Sequence, residues 1–107
     1  MSYRVSLTET AKQDLREIAF YIADQAKDKE GARNFVNELR VSCNRLTDFP
    51  QAGALPKDHV LRSMDYRDIT HKGYLIFYIV DEPEKAVSIL AIFNARKDYL
   101  RVMSRFI

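Results

Sequence analysis

The N-terminal quarter of the chain shows two successive hydrophobic patterns. Tyr3–Leu7 alternates apolar and polar side chains, which predicts a short strand with one buried face. Thr8–Thr10 then offers helix N-caps. The apolar residues that follow recur at helical spacing and predict a helix from about Thr8 to Ala26; they are Leu15, Ile18, Ala19, Ile22 and Ala26.

A second amphipathic segment follows a polar break at Asp28–Gly31. Its apolar residues fall on one helical face; they are Ala32, Phe35, Val36, Leu39, Cys43 and Leu46. Phe49–Gly53 ends this helix because proline cannot continue it and glycine accepts the turn. Since the linker between the two helices is short, we expect them to pack as an antiparallel hairpin.

The remaining pattern predicts strands. Val60–Thr70 is mixed, with Leu61, Tyr66 and Ile69 as candidate inward residues. Tyr74–Val80 is apolar or aromatic throughout, so this strand should be central with both faces covered, and Leu75 within it should be a core residue. After a polar turn, Ala86–Phe93 is predicted to pair with it as a hairpin.

The predicted element order is β-α-α-β-β-β. Helices grouped ahead of the strands, rather than alternating with them, favour an α+β fold over an α/β fold. We therefore expect a helical hairpin packed on a small antiparallel sheet. The length of 107 residues predicts one domain covering residues 1–107.

Composition excludes several classes of protein. Hydrophobic residues at 47% and charged residues at 30% argue against disorder. No segment is long and apolar enough to span a bilayer, and the N-terminus has no signal-peptide core, so the expectation is a cytosolic protein with no membrane role. The single cysteine, Cys43, predicts a small apolar helix residue rather than a disulfide or zinc ligand.

No sequence motif indicates a conventional active site or cofactor. Nucleotide-binding glycine loops and the HExxH zinc motif are absent. His59 and His71 lie twelve residues apart without further ligands at supporting spacing, so no metal site is expected. No serine occupies a nucleophile elbow.

Charge is concentrated at the C-terminal end. Residues 94–107 contain four basic residues and one acid, a net +3, whereas the rest of the chain carries −1 of the total of +2. Such an end attracts polyanions or an acidic partner, and the alternative is a solvated tail.

Basic and aromatic residues near the strand ends form the candidate surface. Guanidinium and ammonium groups beside a tyrosine can hold phosphates and stack a base. An arginine can also stabilise charge on a phosphate during metal-free transfer. The alternative is that these are ordinary solvated charges, as the neighbouring acids Asp68 and Asp98 suggest. The candidates are Arg62, Arg67, His71 and Lys72, with Arg96, Lys97 and Tyr99 after the last strand.

Five segments, in order, resemble the RelE/ParE toxin superfamily, and specifically its ParE-like plasmid-stabilisation toxins. Leu7–Leu15 is similar to the family's first strand–helix junction, and Ile18–Ala23 to its first helix. Leu46–Gly53 resembles its Leu-x-x-Phe-Pro-x-x-Gly helix exit. Tyr66–Ile69 and Tyr74–Glu82 resemble the family's central strands. Val87–Tyr99 resembles its closing strand. The resemblance covers nearly the whole chain and implies two helices against an antiparallel sheet.

The resemblance implies a toxin of a bacterial type II toxin–antitoxin pair, but two mechanisms divide the superfamily. RelE-like members are ribosome-dependent mRNA endoribonucleases that use an arginine in the central strand, an arginine after the last strand and a C-terminal tyrosine. ParE-like members poison DNA gyrase. Leu75 occupies the central-strand arginine position here, and the tyrosine position falls near Val102. These two departures favour the ParE-like branch.

Both mechanisms assign roles to residues of this chain. The ParE-like hypothesis makes Arg96, Lys97 and Arg101 target-binding, together with Arg62 and Lys72. The nuclease alternative would use Arg96 and Tyr99, with Arg67, as catalytic residues on mRNA held by the ribosome. A third possibility is a degenerate toxin that still binds its antitoxin. The implied partner is a small cognate antitoxin in a hetero-oligomeric complex, with an acidic, amphipathic binding segment that folds on contact.

Overall fold

Two capped helices follow the first strand. The computed structural model describes residues 2–56 and 59–105, the side chains of Val60 and Leu61 excepted. Strand β1 (Arg4–Leu7) leads into α1 (Glu9–Gln25), where the Thr8 hydroxyl accepts a hydrogen bond from the Ala11 N–H at 3.1 Å. Helix α2 (Lys29–Asn44) is capped by the Asp28 carboxylate and ends in a 3-10 turn, Arg45–Thr47. The predicted helical hairpin is confirmed.

Three further strands and two further helices complete the described chain. A short helix α3 (His59–Ser63) precedes β2 (Tyr66–His71). Strands β3 (Tyr74–Asp81) and β4 (Ala86–Asn94) follow, and α4 (Ala95–Met103) begins directly after β4. The α+β class is therefore confirmed.

The sheet is mixed, so the expectation of a wholly antiparallel sheet was wrong in one strand. Its order is β1-β4-β3-β2, with antiparallel pairing of β2 to β3 and of β3 to β4. Strand β1 pairs with β4 in parallel, with Arg4 opposite Ala86 and Leu7 opposite Ile89. The physical reason is the path of the chain between β1 and β4. If the direction of β1 is called up, the helical hairpin carries the chain up and then back down. Strands β2, β3 and β4 then run up, down and up, so β4 runs in the same direction as β1.

Both faces of β3 are covered, as its continuous apolar sequence predicted. On one face, Ile76, Tyr78 and Val80 pack in a core with residues of α1 and α2. On the other face, Leu75 and Phe77 pack in a second core with Ala91 and Phe93 of β4 and with Val102 and Met103 of α4. Leu75 is 7% exposed, so its predicted core position is confirmed.

Two elements differ from the sequence-based expectation. The segment predicted as strand from Val60 begins as helix α3, and the strand starts only at Tyr66, after Asp65 turns the chain with a φ of 63°. Tyr66 and Ile69 are half-buried, but they pack in different cores, on opposite faces of the sheet. Whether Leu61 points inward lies outside the described side chains. The basic C-terminal end is not a tail but helix α4, whose apolar residues Val102 and Met103 are buried.

Candidate target-binding surface

Helix α4 is built by a cap at its start and an apolar face at its end. The Asn94 side-chain oxygen accepts hydrogen bonds from the N–H groups of Arg96 at 3.1 Å and Lys97 at 3.0 Å. These bonds satisfy two of the first N–H groups of the helix, which have no partner within it. Burial of Val102 and Met103 holds the last turns on the sheet. The helix is thereby fixed relative to β4, and its polar side chains project in set directions.

The basic residues of α4 reach solvent. Arg96, Lys97 and Arg101 are all exposed, and each keeps its long side chain outside the second core. Lys97 Nζ lies 5.8 Å from the centre of the Tyr21 ring of α1, within the range of a cation–π contact. Arg101 forms an ion pair with Asp98 at 3.2 Å, and at the surface such a pair contributes little to stability.

Lys72 lies at the same end of the sheet as the start of α4. It precedes Gly73 at the tip of the β2–β3 hairpin, where the Gly73 carbonyl accepts a hydrogen bond from the Ala95 N–H at 3.0 Å. Lys72 Nζ lies 2.9 Å from Glu38 of α2, and His71 Nε2 lies 2.8 Å from the same oxygen. These contacts lower the pKa of the Glu38 carboxyl below its ordinary value, Lys72 being the first cause and His71 the second.

A cleft separates α4 from α1. It has a volume of about 790 Å³, and Tyr74 and the C-terminal residues of β4 line it together with both helices. Among the residues that the structure describes, β1 pairs with Ala86–Ile89 and no strand pairs with the end of β4 on this side. Asp14 of α1 occupies part of that space, and its carboxylate accepts a hydrogen bond from the Ile92 N–H at 2.9 Å.

The charges in the cleft are mixed. Burial raises the pKa of the Asp14 carboxyl, and Glu17 raises it further, while the hydrogen bond from Ile92 and the charges of Arg105 and Arg101 act in the opposite direction. Acidic and basic side chains therefore face each other across the cleft. Lys97, Arg101 and Arg105 line the cleft on the α4 side, whereas Glu9, Asp14 and Glu17 line it on the α1 side.

Arg62 and Arg67 do not join this surface. Arg62 is exposed on α3, and Arg67 lies near the first residue of β2, so both are at the opposite end of the strand from the hairpin tip. Arg67 Nη1 donates to the Gly53 carbonyl at 3.1 Å and to the Gln51 carbonyl at 3.4 Å. Its Nε is buried and lies 3.4 Å from Asp65, an ion pair without hydrogen-bond geometry. The contacts of Arg67 indicate a role in holding the loop before α3.

The residues of the nuclease hypothesis are not brought together. Arg96 and Tyr99 share α4, and Tyr99 is half-buried against the second core. Arg67 is opposite Tyr78 in the sheet and therefore lies on the other face, which α1 and α2 cover. Leu75 lies in the second core, where it offers neither charge nor a hydrogen-bond donor.

Sequence reasoning missed Asp14 and Tyr21, which line the cleft from α1. Nothing in the local spacing of these two residues distinguishes them from other polar positions of the helix. The sequence does contain one signal for the start of α4: Asn94 is an N-cap residue directly before Ala95 and the basic pair Arg96 and Lys97. In the part of the chain that the structure describes, no group of three metal-ligating side chains is found. No helix among those residues has the length and apolarity required to cross a membrane.

Comparison with solved structures identifies the fold. The chain is 18% identical to a protein of the chromosomal ParDE system from P. aeruginosa, with a TM-score of 0.72 over 87% of this chain and 96% of the other. It is also 18% identical to a chain of the RelBE2 toxin–antitoxin complex from Mycobacterium tuberculosis, with a TM-score of 0.67 over 88% and 99% of the two chains. A mutant of the E. coli toxin RelE in the free state has a TM-score of 0.64 at 18% identity, with both chains fully covered. At this identity the likeness establishes the fold alone.

Comparison with protein families is more specific. No curated protein sequence matches the chain. Residues 5–99, however, match the family described as the ParE toxin of the type II toxin–antitoxin system parDE. That match runs from within β1 to the middle of α4 and includes the basic start of the last helix. The chain therefore belongs to the ParE toxin family of type II toxin–antitoxin systems.

Proposed function

We propose that this toxin inhibits DNA gyrase through the exposed basic side chains of α4, and that a cognate antitoxin neutralises it in the cytoplasm. The observation that carries the proposal is the placement of Arg96 and Lys97. Strand β4 ends at Asn94, and the capped helix that follows carries both exposed cations in its first turn, at the end of the sheet where Lys72 lies. A cluster of this kind steers association with an acidic protein surface or with DNA phosphates.

The second support is the absence of a converging reactive set among the described residues. Metal-free cleavage of RNA needs a group that stabilises the phosphate and another that moves a proton, held within reach of one atom. Arg67 lies near the start of β2, at the opposite end of that strand from the hairpin tip that contacts the start of α4, and the strand position that carries an arginine in RelE-like chains is the buried Leu75. Binding without chemistry of its own is the simpler use of this surface. On this proposal the protein is an inhibitor and belongs with plasmid-stabilisation toxins.

The antitoxin is proposed from the family and from the neighbours. Two of the similar structures named above are toxin–antitoxin systems, and one of them is a complex. By analogy, a small protein encoded beside this chain would bind it tightly with an acidic, amphipathic segment that orders on contact. Failure to isolate any complex after co-expression with the adjacent small gene would refute this part of the proposal.

A pulse-expression experiment separates the mechanisms. Brief expression of the chain in bacterial cells should induce the DNA-damage response, with mRNA remaining uncut at ribosome-positioned codons. The Arg96→Ala/Lys97→Ala variant should induce neither the DNA-damage response nor mRNA cleavage. A Lys29→Ala/Arg33→Ala control, which removes two exposed cations from α2, should behave as the wild type. Cut mRNA without DNA damage would instead establish the ribosome-dependent endoribonuclease, with Arg96 as the phosphate-stabilising residue and Tyr99 as the candidate tyrosine. If the wild-type chain causes neither DNA damage nor mRNA cleavage, the toxin is inactive.

A further inference from the structure

Helix α4 has three sides, and other parts of this chain face two of them. Val102 and Met103 lie on the side that is buried against the sheet. Lys97 and Arg101 are four positions apart and therefore share a second side, which lines the cleft opposite α1. The third side belongs to neither the core nor the cleft, so its residues are open to contact with another molecule.

The third side of α4 carries Arg96 and Leu100. These residues are also four positions apart, so they lie about one helical turn from each other on the same side. Neither lines the cleft, and Leu100 belongs to neither hydrophobic core. Leu100 is 83% exposed, a larger fraction than for any other large apolar residue in the described part of the chain. Its side chain therefore keeps apolar surface whose burial in a complex would be favourable.

The charge of Arg96 is not compensated within the described part of the chain. Arg101 forms an ion pair with Asp98 at 3.2 Å, and Lys97 Nζ lies over the Tyr21 ring at 5.8 Å from its centre. Among the described residues, Arg96 makes no ion pair and no ring contact through its side chain. The Arg96 guanidinium can therefore bind an external carboxylate without giving up an internal partner.

We propose that the Arg96–Leu100 side of α4 docks on the gyrase protein itself, at a surface with an apolar pocket beside a carboxylate, and not on the DNA that gyrase holds. The inference rests on the proposed function, because it names the side of the helix and the kind of surface that meet. Leu100 enters the pocket and Arg96 pairs with the carboxylate. The phosphate backbone of DNA offers ion pairs to an arginine but no apolar pocket for a leucine. Lys97 and Arg101 add to the positive field that steers the approach.

Calorimetric titration of purified gyrase holoenzyme with the full chain, in the absence of DNA, tests the apolar contact. Leu100→Ala should weaken binding by at least about tenfold, because a leucine side chain buried in the wild-type complex is lost. Alanine favours helix at least as well as leucine, so α4 should be retained. Leu100→Met restores apolar volume and should bind within about threefold of wild type. The matched control is Phe20→Ala, which removes an apolar side chain that is 74% exposed on α1, and it should stay within about twofold.

Salt dependence separates the two contacts. The loss of affinity caused by Arg96→Ala should shrink as salt rises, whereas the loss caused by Leu100→Ala should persist, since salt does not screen an apolar contact. Binding of Leu100→Ala as tight as that of wild type, or an equal loss in Phe20→Ala, would overturn the inference and leave gyrase inhibition standing. Binding of the wild-type chain to DNA alone, or to gyrase only when DNA is present, would do the same. A wild-type chain that neither binds gyrase nor inhibits supercoiling would instead refute the proposed function, and this inference with it.

Discussion

The hydroxyl of Tyr78 accepts a hydrogen bond from the Gly53 N–H at 2.9 Å, while its own O–H donates to the Pro50 carbonyl at 2.8 Å. The central strand thereby holds the loop that leaves the helical hairpin. A Cβ added to Gly53 would lie 2.5 Å from that hydroxyl and 2.7 Å from the Asp68 carbonyl, so only glycine fits. The Phe-Pro-x-x-Gly sequence is therefore explained by a contact with a residue 25 positions further along the chain.

Removing this hydroxyl should destabilise the fold. Tyr78→Phe keeps the buried ring but leaves the Pro50 carbonyl and the Gly53 N–H without their partner, and one unsatisfied buried group costs about 1–3 kcal/mol. Urea unfolding should show that loss of unfolding free energy. Tyr21→Phe serves as the control because its ring is half-exposed in the cleft, and it should unfold as the wild type does. Equal stability of Tyr78→Phe and wild type would contradict the role assigned to the hydroxyl.

Leu75 should behave as a core residue and not as part of an active site. Leu75→Ala removes methyl groups from the second core, which also contains Phe93 and Met103, and truncating a buried leucine in this way costs about 2–5 kcal/mol. Leu100→Ala is the matched control, since Leu100 is 83% exposed on α4, and it should change the unfolding free energy by less than about 0.5 kcal/mol. A neutral Leu75→Ala would show that the position is not a packed core site.

Asp14 should give the protein a distinctive pH dependence. Burial raises the pKa of its carboxyl in the folded chain above the ordinary value of 3.8, so the folded chain retains a proton that the unfolded chain has already lost. The contribution of Asp14 to stability therefore falls as pH rises from about 3.8 through the folded pKa. Asp14→Asn keeps an oxygen for the Ile92 N–H and removes the charge.

Unfolding of Asp14→Asn and wild type should be compared across that pH range. The variant should gain stability relative to wild type as pH rises, because it has no buried charge to form. Glu17, Arg101 and Arg105 also act on the Asp14 carboxyl, so the comparison is made at constant salt. A variant that loses stability relative to wild type with rising pH would show that Arg101 and Arg105 dominate over burial.

The sequence predicted most of the fold because its signals are local. The spacing in α1 and α2, the unbroken apolar run of β3 and the hairpin to β4 all follow from side-chain periodicity. Helix α4 was missed because only Val102 and Met103 mark its buried face, and its first turns are dominated by charge. The parallel pairing of β1 was missed because it depends on where a hairpin of two helices returns the chain, which no local pattern records.

The candidate site was predicted only in part, for the same physical reason. Arg96 and Lys97 were proposed from charge, and the structure places both as exposed residues of α4. Arg62 and Arg67 were grouped with them because all precede or follow strands, but the direction of β2 places them at the far end. Asp14 gains its contact with Ile92 only when α1 lies over the end of β4, beyond the residues that pair with β1. Such a contact is a product of topology and is invisible in sequence.

The most direct test of the proposed function is supercoiling by purified DNA gyrase in the absence of ribosomes, with the toxin added at rising concentration. The wild-type chain should inhibit supercoiling. The Arg96→Ala/Lys97→Ala variant, folded as judged by its unfolding transition, should lose at least about tenfold in potency, because both exposed cations of the α4 start are gone. The Lys29→Ala/Arg33→Ala control should inhibit as wild type does. Supercoiling unaffected by the wild-type chain, at concentrations where the chain binds its antitoxin, would contradict the account.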